Sequence, residues 1–117
     1  MSLPTVAKSE KVRLNYDEPI SFRVEVGFGN PAGTEWYIGD QRGTIAGPEE
    51  VSLKGGADLE FLTLHIITTV EDVSDATDKT AVTYHLRNGS TTHSFPFTFT
   101  LEDKSRFVMY LIDINLF

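Results

Sequence analysis

Residues 80–101 read TAVTYHLRNGSTTHSFPFTFTL, and the fold follows from this stretch. Asn88-Gly89 stands between two runs in which apolar and polar residues alternate. Asn and Gly tolerate the positive φ angles of a two-residue turn, so the pattern predicts an antiparallel hairpin. With Asn88 and Gly89 as the loop, Arg87 pairs with Ser90, Leu86 faces Thr91, Tyr84 faces His93 and Val82 faces Phe95. Val82, Tyr84, Leu86, His93, Phe95, Phe97 and Phe99 then share one face; Ala81, Thr83, His85, Arg87, Thr92 and Ser94 share the other. A three-residue loop would slip the second strand by one and turn the phenylalanines onto the polar face, so the two-residue loop is preferred. Pro96 falls opposite Ala81, at a pair that should exchange hydrogen bonds, and proline has no donor. Tight pairing is therefore expected to end near Val82 and Phe95, or to pass through a bulge.

The rest of the chain reads in the same period. Residues 1–8 read as a flexible lead-in and 9–117 as a single domain. Lys11 to Tyr16 is a short alternating strand, and Ile20 to Phe28 a longer one with Ile20, Phe22, Val24, Val26 and Phe28 on one side. Thr34 to Ile38 is a strand, Thr44–Ala46 a short one, and Val51–Leu53 another. Leu59 to Val70 is apolar on both faces, as a central strand is. After the hairpin and a turn at Glu102-Asp103-Lys104-Ser105, Arg106 to Phe117 is the last strand. Its first half is also apolar on both faces, with Phe107, Met109 and Leu111 opposite Val108, Tyr110 and Ile112. No stretch has helical periodicity. The expected fold is all-β: a single antiparallel β-sandwich of about eight strands, immunoglobulin-like or jelly-roll-like. The Cys…Trp…Cys spacing of true immunoglobulin domains is missing, because the chain has no cysteine.

Charge narrows the partners. The net charge of −7 arises between Pro31 and Thr80, which hold ten acidic and three basic residues. Such a surface repels phosphate backbones and anionic lipid, so nucleic acid and an anionic membrane surface are not expected as partners, and with no apolar run near membrane-spanning helix length, membrane insertion is not expected either. Without cysteine there is no thiol catalysis and no Cys-ligated zinc. That composition favours a cytoplasmic setting. The opening MSLPTVAK has no apolar signal-peptide core, though a secreted setting would follow had a leader been removed.

Candidate sites are few. Trp36 and Tyr37 lie beside glycine-rich loops and, with Asp40, Gln41 and Arg42, form a candidate ligand-binding group; aromatic rings can stack on sugars or anchor a partner. Adjacent strand residues point to opposite faces, so only one of the two rings should face outward. Glu71, Asp72, Asp75 and Asp78 crowd one turn, and oxygen-rich loops of this kind can hold calcium. The EF-hand spacing fails, and a solvated turn using Asp and Ser as local caps explains the same residues. His85 and His93 fall on opposite faces of the hairpin and His65 on the non-core face of another strand, so the three histidines do not converge on a metal. Asn88-Gly89-Ser90 matches a glycosylation sequon, which its turn role already explains. No catalytic motif is present: no G-x-S-x-G, P-loop, dinucleotide fingerprint or HExxH. The expectation is a non-catalytic binding or assembly module with no catalytic residues and no cofactor beyond calcium. Self-association with other copies of the chain comes first, motivated by the doubly apolar last strand. A carbohydrate-binding module follows, and a small hydrolase third.

Overall fold

The computed structural model describes residues 3–73, 77–101 and 106–117. The chain is nearly all β. Among the described residues the strands are β1 (Thr5–Val12), β2 (Ile20–Val26), β3 (Ala32–Ile38), β4 (Gln41–Ile45), β5 (Val51–Leu53), β6 (Thr63–Glu71), β7 (Lys79–Asn88), β8 (Thr91–Thr100) and β9 (Phe107–Leu116). The one other regular element among them is a 3-10 turn, Gly56–Leu59. The strands form a five-stranded sheet in the order β1-β9-β6-β3-β4 and a four-stranded sheet in the order β5-β2-β7-β8. Alternation builds the core: β6, β7 and β9 each bury every second residue between the sheets.

The two inner faces meet directly. Phe22 of β2 packs edge-on against Trp36 of β3, with ring centroids 5.4 Å apart. Two polar links also cross the gap. The Tyr84 hydroxyl donates to Thr68 Oγ1 at 2.8 Å, and Thr68 in turn bonds Thr34 at 3.1 Å. Thr80 Oγ1 donates to the Phe99 carbonyl at 2.9 Å, which leaves it as the acceptor for the Tyr110 hydroxyl at 2.6 Å. The hydroxyls of these two links are thereby satisfied, as burial demands. Desolvation raises the pKa of both phenols above the ordinary tyrosine value, with the Thr68 and Thr80 hydrogen bonds opposing it.

The β7–β8 hairpin forms with the expected faces but a different register. The two loop residues are Gly89 and Ser90, and Asn88 pairs with Thr91. Gly89, at φ 60°, takes the positive-φ first position of the turn. Asn88 stays in the strand because its side chain has other partners. Its Oδ1 accepts from the Asn15 N–H at 2.7 Å and its Nδ2 donates to the Asn15 carbonyl at 2.9 Å. The ladder moves by two residues, so every side chain keeps its predicted face. Pro96 now lies opposite Thr83 rather than Ala81. Counting from the hydrogen-bonded Asn88–Thr91 pair, that is a non-hydrogen-bonded position, where the backbone nitrogen points away from β7. β8 is an edge strand, so no donor is needed there, and pairing continues to Lys79 and Thr100 without ending at Pro96.

Four further differences have clear causes. Thr5–Val12 is a strand rather than a lead-in with a strand after it; it pairs in parallel with β9, Thr5 to Met109 through Val12 to Leu116. Leu14 and Tyr16 lie beyond it in a connector, where the Leu14 N–H bonds the Phe117 carbonyl at 3.0 Å. β4 begins at Gln41, because Gly39-Asp40 makes a tight hairpin turn with Gly39 at φ 57°. β6 begins only at Thr63: Leu59 closes the 3-10 turn, and Phe61 takes a left-handed φ of 68° before the strand starts. The turn expected at 102–105 lies outside the described residues.

Candidate functional site

The outer face of the five-stranded sheet gathers the chemistry. Register fixes its rows. Arg42, Tyr37, His65, Asp113 and Ser9 lie side by side across β4, β3, β6, β9 and β1. The next row is Thr44, Glu35, Ile67, Leu111 and Ala7. Beyond it lie Gly33, Thr69 and Met109.

In the first row, Asp113 Oδ1 accepts a hydrogen bond from His65 Nδ1 at 2.7 Å, which fixes the imidazole ring. Tyr37 stacks on that ring with centroids 4.4 Å apart and planes within 19°. Neighbouring strands are about 4.8 Å apart, so two rings stacked across them stand on edge on the sheet. One face of Tyr37 is therefore covered by His65, and the other is turned toward β4. Tyr37 is 46% exposed.

That open face borders a depression of about 850 Å³ over the β3–β4 hairpin, lined by Glu35, Tyr37, Asp40, Arg42, Thr44 and Ile67 among others. A second depression of about 500 Å³ shares Glu35, Thr44 and Ile67 with it and continues past Gly33 and Thr69 to Met109. The two form one trough across the sheet. Glu35, Asp40 and Arg42 have no hydrogen-bond or ion-pair partner among the described residues, so their polar groups are available to a ligand.

The candidate residues divide accordingly. Tyr37, Asp40 and Arg42 are brought together at the trough. Trp36 is not an exposed platform: it is 8% exposed, faces the core, and lies so close over Gly43 that a Cβ there would sit 2.9 Å from its Nε1. Gln41 lines the depression, but its amide is committed. It donates to the Lys54 carbonyl at 2.5 Å and accepts from the Lys54 N–H at 2.8 Å, tying the β4 start to the end of β5. His65, Asp113, Glu35 and Ile67 belong to the same face; the sequence singles out His65 only as a metal ligand that finds no partners, and the other three not at all. Strand order brings His65, Ile67 and Asp113 beside Tyr37, whereas Glu35 shares its face two residues earlier on β3.

In the acidic turn, Glu71 pairs with Arg106 at 2.9 Å, the Asp72 N–H bonds the Arg106 carbonyl, and the Asp78 carbonyl accepts from Leu101. Asp75 lies outside the described residues. Among the described residues no group of three His, Cys, Asp or Glu side chains is disposed to hold a metal.

The chain matches no protein-family model, no curated protein and no solved structure.

The last strand is not an edge. β9 is paired on one side by β1 and on the other by β6, so its backbone has no free side to offer another chain. Its outward apolar residues are Phe107, 41% exposed, and the half-buried Met109 and Leu111, which share the outer face with Asp113 and Asn115. Among the described residues no helix is long and apolar enough to cross a membrane.

Proposed function

We propose that this chain is a non-catalytic binding module and that the outer face of its five-stranded sheet is the binding surface. One observation carries the reading: an exposed aromatic ring, held rigid by a stacked and hydrogen-bonded neighbour, at the wall of the trough. Pre-organised aromatic groups with unpaired polar groups beside them are what a recognition surface needs. Two sheets sharing one core support reading the scaffold as a β-sandwich. Within that class, the pairing of β2 with β7 and of β3 with β6 is nested, and the last two strands fall in different sheets. Both features favour a jelly-roll-like order over an immunoglobulin-like one, whose final strands are neighbours.

A second reading keeps the same face but covers it with another copy of the chain. Ala7, Ile67, Leu111 and Met109 form a band of apolar side chains across it, and sheet stacking would bury them. Edge pairing through β9 has lost its motivation, since both its sides are taken.

The test is amide chemical-shift mapping, once against soluble glycans and once on dilution of the protein alone. Shifts confined to β3, β4, β6 and β9 are expected. Shifts confined to the four-stranded sheet or to the loops would overturn the assignment of the face.

A further inference from the structure

Given that face as the binding surface, the geometry points to its ligand class: we infer that the trough takes a neutral glycan, with one sugar ring stacked on the open face of Tyr37. Three observations on the same site converge.

The first is the ring. The face of an aromatic ring is electron-rich, and the axial C–H face of a pyranose presents weakly positive hydrogens to it. A phenol standing on edge, with one face closed by His65 and the other open to the depression, offers one stacking surface in a fixed direction. The Asp113–His65 hydrogen bond holds that direction. His65 and Asp113 are thus positioning residues.

The second is the polar complement. Glu35 and Asp40 supply carboxylate oxygens and Arg42 supplies a planar set of donors, all without partners among the described residues. Vicinal hydroxyls are both donors and acceptors, so they use a mixed set that a purely anionic or cationic ligand cannot. These three groups sum to one net negative charge, within a chain whose net charge is −7. An anionic ligand such as a uronate polymer, a nucleotide or a sulfated glycan is repelled.

The third is the shape. The trough is open along its length and continues from the Arg42–Tyr37 row past Ile67 to Met109. Gly33 leaves room there, since a Cβ at that position would meet nothing within 4 Å. An open channel suits an internal segment of a chain better than a single small molecule.

The experiment is affinity electrophoresis and calorimetry of the full chain with mixed-linkage β-glucan, xylan and galactomannan, and with polygalacturonate as an anionic control. Binding to at least one neutral polymer is expected, with none to polygalacturonate. Tyr37→Phe keeps the ring face and should keep affinity. Tyr37→Ala should lose roughly tenfold or more, the scale of one aromatic contact. Arg42→Gln should weaken binding with unchanged thermal stability. Absence of binding to all three neutral polymers overturns the inference, as does unchanged affinity in Tyr37→Ala or a preference for polygalacturonate. The two levels separate cleanly: if no glycan binds yet dilution shifts the outer-face amides, the sugar inference falls and the binding face stands.

Discussion

Phe61 is held in a conformation that its type disfavours. Its φ is 68° and its side chain is 79% exposed, so the ring gains little from burial. A left-handed conformation costs a non-glycine residue about 1–2 kcal/mol, through the clash of Cβ with the following carbonyl. Glycine removes that clash but loses more backbone entropy on folding. Phe61→Gly is therefore expected to stabilise the fold by a few tenths to about 1 kcal/mol, seen as a higher urea midpoint at unchanged slope. The Phe61 N–H would keep its bond to the Leu116 carbonyl. Tyr84 and Tyr110 make a second prediction at this scale. Their folded pKa values are raised above the unfolded value near 10, so between the two the unfolded chain has released protons that the folded chain keeps. Stability from these phenols is complete below about pH 9 and is lost as pH climbs past about 10. Melting temperature should fall steeply across that range, more steeply than in Tyr84→Phe. Phenolate absorbance from these two residues should appear only with unfolding.

Between elements, the sequence carries faces better than registers. Alternation placed Val82, Tyr84 and Leu86 inward, and the structure agrees because a two-residue shift preserves parity. The register itself depends on Asn88 bonding Asn15, a contact between residues 73 apart that no local pattern announces. The same shift explains why Pro96 does not end the ladder. It sits at the free edge of β8, where its missing donor also denies another strand a hydrogen bond. Pro96→Thr restores that donor in a strand already rich in Thr and Phe. It should increase self-association, measured by light scattering over a concentration series, while leaving the monomer's melting temperature nearly unchanged. β1 is hard to read in the sequence for a related reason. Its inward side carries Val6, Lys8, Glu10 and Val12, and only the two valines are buried. An edge strand with charges on its inner side has little hydrophobic signature, and its pairing with β9 rests on the backbone ladder and on the Asn115 amide, which donates to Ser9 Oγ and the Glu10 carbonyl.

At the scale of the molecule, the candidate site was half legible. Tyr37, Asp40 and Arg42 are close in sequence and could be singled out by type. His65 and Asp113 could not, since they reach the site only through the order β9-β6-β3-β4. Trp36 and Gln41 have suitable chemistry, yet burial removes the first and the Lys54 backbone occupies the second. Side-chain type identifies what a residue can do; strand order decides where it does it. The same order has a mechanical consequence. β1 and β9 run in parallel side by side, so Thr5 lies at one end of the pair and Leu116 at the other. Traction applied at those two residues in opposite directions slides the strands past each other and loads their hydrogen bonds together rather than one at a time. In single-molecule stretching by these two points, rupture should come as one high-force event. Pulling instead across the β7–β8 hairpin, from Lys79 and Thr100, should unzip the pair at much lower force, because those positions are neighbours and their bonds would yield in turn.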